Sequence, residues 1–340
     1  MKRIVGLTLF VVLLSCVCFS LYGVVAVAET EWVYLGGAPI GIGLAEEGLI
    51  VTGIVDVITD EGAVCPARGS EISTGDVIIA VNDEKIFGVR DFASKLQLSS
   101  GVVTLTFKRG DDIYIGSFTP VTDSLTGLKK LGLTVKSGIN GIGTLTYVEP
   151  NLHFGSLGHG IVDADTGKPF LTDQGNIYSC TITGYKRPTD EKAGELIGKF
   201  GDHSAPIGKI NLCNELGVYG KADEVIVRDG VKIEIAPRTA VRPGKAYIYT
   251  TIDGSTPQKY DIEIVKTRDQ EHPEEKSMLI KVVDKELIEK TGGILQGMSG
   301  SPIVQNDKLV GAVTHVLLNN STLGYGLYLD WMLDSGRASA

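Results

Sequence analysis

The sequence has few aromatic residues and little helical periodicity, and the scarcity of helical spacing argues against a mainly helical fold. Aromatic side chains make up 7% of the 340 residues, and apolar residues seldom recur at helical spacing. The 43 glycines accompany runs of valine, isoleucine and threonine that are broken by Gly, Asp and Asn. This pattern predicts a turn-rich, mainly β protein of about two domains.

Positive charge is also scarce. The chain has 32 Lys and Arg residues against 41 Asp and Glu residues, which gives a formal net charge of −9. A surface with this balance repels a phosphate backbone. We therefore expect no nucleic acid partner.

Cysteine is too rare and too scattered to form a framework. Of the 5 cysteines, Cys16 and Cys18 lie in the apolar N-terminal stretch, which leaves Cys65, Cys180 and Cys213. An odd number at wide spacing predicts neither disulfides nor a zinc site. We expect no metal and no cofactor.

The N-terminus lacks charge over residues 4–28, after Lys2 and Arg3. A positive flank followed by a long apolar run predicts export across the cytoplasmic membrane. The ending Ala26-Val27-Ala28 fits a cleavage site, but the run is also long enough to span a bilayer uncleaved. Residues 1–28 are therefore predicted to be a signal peptide or a membrane anchor.

Residues 34–120 show two strand-like runs, the turn-containing stretch "STGDVIIAVND", a helix and a hairpin. This order resembles a PDZ domain of the bacterial type. The resemblance implies a groove in which a peptide adds as a strand, the peptide being a substrate's end or the N-terminal segment of another copy. The predicted groove residues are Gly36, Gly37, Ile40, Gly41, Ile42, Gly43, Phe92 and Leu96.

Two short motifs in residues 125–340 suggest chemistry, within strand-like runs that hold no helical pattern. In "QGMSGSPIVQ", Ser299 follows Gly297, whose freedom of backbone angle can turn its own N–H and that of Ser299 to one side. Those two amides are the predicted oxyanion hole. A nucleophilic serine also needs a base, and His159, between glycines in "GSLGHGIVDADTGKP", is the candidate.

The motifs "GMSGSP" and "GAVTH" resemble those of chymotrypsin-like serine proteases in type and order. The likeness implies a double β-barrel over residues 125–340, with Ser299 as nucleophile and His159 as base. It also implies that Thr314 and His315 line the substrate pocket. Met298 stands where trypsin-like enzymes carry an aspartate, which excludes activation by an ion pair to a new N-terminus.

A PDZ-like unit followed by "GIGTLTYVEP", the histidine and serine motifs and "GYGLYLDWML" resembles the stage IV sporulation protein B peptidase family. The likeness implies a peptidase exported from the forespore into the intermembrane space. There it would cleave itself and a membrane-bound inhibitory partner, which releases an intramembrane protease to mature a late sigma factor. A protein-quality-control protease and a non-catalytic membrane-tethered scaffold are the alternatives.

The third member of the catalytic triad has two candidates. The family likeness implies Asp284, 15 positions before Ser299. The usual chymotrypsin-like topology instead favours an aspartate nearer the histidine, such as Asp202. The sequence leaves both open.

Overall fold

Strands dominate the protein, as the glycine-rich and β-branched runs predict. The computed structural model describes residues 31–189, 191–200 and 205–338. The predicted export segment, residues 1–28, and the candidate Asp202 lie outside the described residues. Among the described residues, no helix has the length and apolarity needed to cross a bilayer.

The strands run in the following order from the N-terminal side: β1 Trp32–Leu35, β2 Pro39–Ile54, β3 Val57–Thr59, β4 Gly62–Val64, β5 Val77–Val81, β6 Glu84–Lys85, β7 Val103–Arg109, β8 Asp112–Phe118, β9 Val121–Thr122, β10 Lys129–Lys130, β11 Leu133–Val148 and β12 His153–Ser156. They continue as β13 Gly175–Lys186, β14 Glu195–Phe200, β15 Gly208–Asn214, β16 Gly217–Ala222, β17 Lys232–Ile235, β18 Gly244–Thr250, β19 Gln258–Thr267, β20 Met278–Val282, β21 Pro302–Gln305, β22 Lys308–Leu317 and β23 Asn320–Tyr328. The helices are α1 Val89–Leu98, α2 Lys285–Thr291 and α3 Leu329–Arg337.

Six of the described strands close into a first barrel. They pair antiparallel in the order β2, β13, β15, β16, β12 and β11, and β11 pairs back with β2. Alternate side chains point inward along a strand, and here the inward set is aliphatic. The barrel core contains Ile40, Ile42, Leu44, Ile177, Ile210 and Val218.

A second barrel closes in the same way from six further described strands, in the order β18, β19, β20, β23, β22 and β21. Strand β19 shows why these residues form a barrel wall, since its buried Tyr260, Ile262 and Ile264 alternate with exposed Asp261 and Glu263. The strand pairings confirm a mainly β protein and agree with the predicted double β-barrel. The helices α2 and α3 in this part of the chain were not predicted.

A separate module occupies the chain between two strands of the first barrel. Strand β2 belongs to the barrel up to Ala45, and its later residues pair with β5 and with the start of β11. The chain returns along β11, where Gly138 lies opposite Ala45. The module has its own core, which includes Leu49, Ile78, Phe92, Leu105, Phe107 and Leu131.

This arrangement corrects the predicted division into residues 34–120 and 125–340. Residues 39–45 belong to the first barrel, and the module is inserted within the barrel sequence instead of preceding it. The module does contain the predicted order of strands, helix and hairpin, including a turn at Asn82-Asp83 with positive φ at both residues. Its identity as a PDZ domain stays a prediction.

The predicted peptide groove is wrong in its strand. The strand that carries Ile40, Gly41, Ile42 and Gly43 has β11 on one side and β13 on the other, so it has no free edge for a peptide. A Cβ at Gly41 would lie 2.2 Å from the ring of Phe200.

The remaining predicted groove residues are also packed inside the protein. A Cβ at Gly36 would lie 2.1 Å from the Leu145 carbonyl oxygen, and one at Gly37 would lie 2.9 Å from Tyr249. Phe92 and Leu96 are buried in the module core instead of lining an opening.

Hydrogen bonds join the first barrel to the serine turn that precedes β21. The Thr146 hydroxyl, which is fully buried, donates to the Gly300 carbonyl oxygen at 2.7 Å. The Thr144 hydroxyl donates to the Gly297 carbonyl oxygen at 2.8 Å, and the Thr144 amide donates to that of Ser299 at 2.9 Å. Strand β11 therefore supports the turn directly.

The cysteines of the described residues are unpaired. Cys180 and Cys213 are buried, and Cys65 is half-buried. Burial raises the pKa of the Cys180 thiol, and it raises the pKa of the Cys213 thiol to about 11.

We expect the Thr146→Val substitution to lower the free energy of unfolding by about 1–3 kcal/mol, because it leaves a buried carbonyl oxygen without its partner. Thermal or urea unfolding measures the change. Thr183→Val, at an exposed position, is the matched control. Equal stability of the two variants would show that the bond to Gly300 contributes nothing.

Candidate active site

Ser299 lies in a turn whose shape depends on two glycines. Gly297 has φ +96° and Gly300 has φ +94°, values that disfavour any side chain. A Cβ at Gly300 would also lie 2.0 Å from the Thr144 carbonyl oxygen. Met298 points into the core and is fully buried, so the turn presents Ser299 outward.

The predicted oxyanion donors are available in this turn. The Met298 and Ser301 amides donate to carbonyl oxygens three residues back in the chain, and the Gly300 amide donates to the Val313 carbonyl oxygen of β22. Within the described residues, the amides of Gly297 and Ser299 have no such partner. Two free N–H groups on one turn can stabilise an oxygen that becomes negative.

The Ser299 hydroxyl donates to the Thr314 carbonyl oxygen at 2.8 Å. Thr314 lies on β22 and is buried. The carbonyl oxygen cannot accept the serine proton in a reaction, so this hydrogen bond describes a resting position of the nucleophile. A base has to come from another side chain.

His159 follows strand β12 in a sharp turn formed by Leu157 and Gly158, with φ of 70° and 74°. Its Nδ1 lies 2.7 Å from the Gly160 carbonyl oxygen. Because a carbonyl oxygen only accepts, Nδ1 carries the proton and Nε2 is left as a free base. Burial lowers the pKa of His159 below its ordinary value, which keeps the ring neutral.

His159 and Ser299 line the same cavity, which has a volume of about 460 Å³. Thr314 and His315, the predicted substrate-pocket residues, line it as well, and their role stays a prediction. Most other lining side chains are aliphatic and come from both barrels: Ile42, Leu44, Ile139, Ile142, Leu157, Ile161, Ile294, Leu295, Val316 and Leu318. The cleft between the barrels therefore brings together an alcohol, a neutral imidazole and two free amides.

Asp284 does not line this cavity. Its carboxylate accepts from the Leu287 amide at 2.9 Å and caps helix α2, and it also accepts from the Asp261 amide at 3.3 Å. Asp284 lies beyond the far end of β20, a strand of five residues that spans about 13 Å. The structure therefore gives Asp284 the position of a helix cap and does not bring it to His159.

Strand β20 begins on the side of the two histidines. Glu275 precedes it, and its Oε2 lies 3.9 Å from Nε2 of His315. The rings of His315 and His159 are 4.8 Å apart between centroids. Within the part of the chain that the structure describes, no group of three or more His, Cys, Asp or Glu side chains could hold a metal ion.

Residues 127–333, more than half of the chain, match the family described as SpoIVB peptidase S55. The chain belongs to this family. The S55 peptidases are serine endopeptidases of sporulation, so the protein is a serine endopeptidase. A search of curated proteins finds no match to it. Strand β2, which closes the first barrel, lies outside the matched residues of this S55 peptidase.

The sequence did not reveal three contributors to the site of the S55 peptidase. The Gly160 carbonyl oxygen fixes the histidine tautomer, Thr144 holds the serine turn, and Glu275 is the carboxylate near the histidine pair. Main-chain groups carry no sequence signal. Thr144 lies 155 positions before Ser299 in the sequence, so only the fold shows their contact.

We expect Asp284→Asn to retain both activity and stability, because asparagine caps a helix as well as aspartate does. Asp284→Ala should lose about 0.5–2 kcal/mol of stability through the missing cap and keep its activity at a temperature where it is folded. Thermal unfolding and labelling of Ser299 by a fluorophosphonate probe measure the two properties. An inactive but fully stable Asp284→Asn protein would restore Asp284 as the orienting aspartate.

Proposed function

We propose that this S55 peptidase is an exported signalling endopeptidase that cleaves itself and a membrane-bound inhibitory partner. That cleavage would release an intramembrane protease to mature a late sigma factor in the developing spore. The single observation that carries the catalytic part is the shared cleft of Ser299 and His159, with the Gly297 and Ser299 amides free. Family membership and the predicted export segment support the biological part.

The proposed chemistry first forms an acyl-enzyme on Ser299 and then hydrolyses it. Nε2 of His159 takes the hydroxyl proton as Oγ of Ser299 attacks the scissile carbonyl carbon, and the two amides stabilise the resulting oxyanion. The imidazolium then gives its proton to the leaving amine as the C–N bond breaks, which leaves an acyl-enzyme. Water, activated by the same histidine, hydrolyses the ester and restores Ser299.

The aliphatic walls of the cleft favour a substrate segment that carries apolar side chains. Ile294 and Leu295 lie just before the serine turn, and Val316 and Leu318 lie just after His315. A charged side chain would lose its hydration there without gaining a partner. We therefore propose cleavage within apolar or mixed segments, in agreement with few and specific substrates.

We also propose that the inserted module is a PDZ-like unit that captures a peptide of the substrate or of another copy. The available strand edge differs from the one predicted at Ile40. In the described residues, Leu133–Lys136 pairs on one side only, with β2, and it runs close to helix α1. The Gln97 side chain of α1 already bonds both the amide and the carbonyl oxygen of Lys129, just before that edge.

Ser299→Ala and His159→Ala should each abolish self-cleavage, and their combination should be no worse than either alone, because the two residues act as a unit. The loss should be at least about a hundredfold. Purified proteins can be compared by gel and by hydrolysis of a small ester. Self-cleavage by the pure Ser299→Ala protein would refute the nucleophile.

Replacing residues 46–137 by a two-residue Asn-Gly turn should leave ester hydrolysis and probe labelling intact, because Ala45 and Gly138 are already paired neighbours. Cleavage of a second, inactive Ser299→Ala copy should fall strongly if the module captures it. Full cleavage of that inactive copy by the shortened protein would show that the module plays no part in capture.

A further inference from the structure

Asp284 caps helix α2, and among the described residues the carboxylate that acts on His159 is that of Glu275. We propose that Glu275 supplies the charge that supports His159 and that His315 links it to His159, so that both act as positioning residues of the reaction. The inference rests on the proposed function, in which His159 is the base for Ser299. It concerns the catalytic step alone and does not depend on the partner or on the inserted module.

The His159 ring is held on one side by its own chain. Nδ1 donates to the Gly160 carbonyl oxygen, as described above, and no carboxylate of the described residues bonds to this nitrogen. A carbonyl dipole fixes the tautomer, but it offers less stabilisation to an imidazolium than a full negative charge would. The bond to Gly160 therefore fixes the orientation of the His159 ring, but it does not neutralise the positive charge that the ring gains when it takes the serine proton.

His315 covers the other side of the His159 ring. The two rings lie 4.8 Å apart at an interplanar angle of 41°. Thr314, the residue before His315, accepts the Ser299 hydroxyl through its carbonyl oxygen. Two successive residues of β22 therefore contact the two catalytic candidates: Thr314 contacts Ser299, and His315 contacts His159.

Glu275 lies on the far side of His315, with 3.9 Å between Oε2 and Nε2. Its backbone is fixed as well, since the Thr314 hydroxyl donates to the Glu275 carbonyl oxygen at 3.3 Å. The Glu275 charge acts on both histidines and raises the pKa of each, against the lowering by burial. Nδ1 of His315 is buried without a hydrogen-bond partner among the described residues.

Other charges face the same region. Glu215, in the turn between β15 and β16, and Glu274 line an adjoining cavity with Glu275, Gly160 and His315. Burial lowers the pKa of His315 most, and the neighbouring His159 and Lys276 lower it further. When His159 takes the serine proton, a neutral His315 beside it is the favourable arrangement, because two charged imidazoles in contact would repel each other.

The test is the pH dependence of kcat/KM for ester hydrolysis by the full chain carrying Glu275→Gln. Because the Glu275 charge raises the pKa of His159, its loss should move the acid limb of the profile to lower pH. The plateau should fall by about threefold to tenfold, since solvent partly screens a carboxylate that is 38% exposed. Glu263→Gln, at an exposed position of β19 that lines neither cavity, is the matched control and should leave both features unchanged.

A second arm uses His315→Phe, which keeps an aromatic ring against His159 and removes the polar link. Alone it should lower the plateau about as much as Glu275→Gln, and the double variant should be no worse than either single variant. Losses that multiply in the double variant would overturn the link. A Glu275→Gln profile that matches the wild type in both plateau and acid limb would overturn the role of Glu275.

The failure of this inference is distinguishable from the failure of the proposed function. If Ser299→Ala abolishes hydrolysis while Glu275→Gln is unchanged, only the positioning role is wrong. If Ser299→Ala retains hydrolysis, the function itself is wrong. Thermal unfolding of each variant separates loss of fold from loss of chemistry, and the half-exposed Glu275 side chain should tolerate the change.

Discussion

The hydrogen bonds from Thr144 to the serine turn are the constraint on which the rest of the site depends. One residue of the first barrel binds the carbonyl oxygens of Gly297 and Ser299, and its own carbonyl oxygen accepts from the Ser156 hydroxyl at 2.7 Å. Ser156 ends the strand that leads to His159. The nucleophile and the base thus share one anchor, although they belong to different barrels.

The contacts with Thr144 explain why glycine stands at position 300 of the serine turn. The Thr144 carbonyl oxygen occupies the space where a Cβ of residue 300 would lie, so glycine is required there. With its carbonyl oxygens bound on the side of the first barrel, the turn leaves the Gly297 and Ser299 amides without a carbonyl acceptor in the part of the chain that the structure describes. The carbonyl oxygens of the turn are hydrogen-bonded, and the Gly297 and Ser299 amides remain to form the proposed oxyanion hole.

Sequence reasoning succeeded where the signal is local. Alternating patterns predicted a β protein, and flanking glycines singled out Ser299 and His159 as candidates that the fold places on one cavity. Sequence reasoning failed where the partner strand is distant in the sequence. Residues 40–44 were predicted to be the free edge of the PDZ-like unit, yet their neighbours β11 and β13 lie about a hundred or more residues away. Asp284 shows the same limit, since a helix cap and a triad aspartate cannot be told apart by residue type.

Burial of the Cys180 and Cys213 thiols determines how they would react with oxidants outside the cytoplasm. Oxidants act on the thiolate, and a raised pKa leaves almost none of it at neutral pH. Cys180 and Cys213 belong to separate hydrophobic cores, so neither can reach the other to pair. Export, as proposed, would therefore bring these two side chains into an oxidising space as chemically inert fillers of the core, and the protein would need no reductant to keep them so.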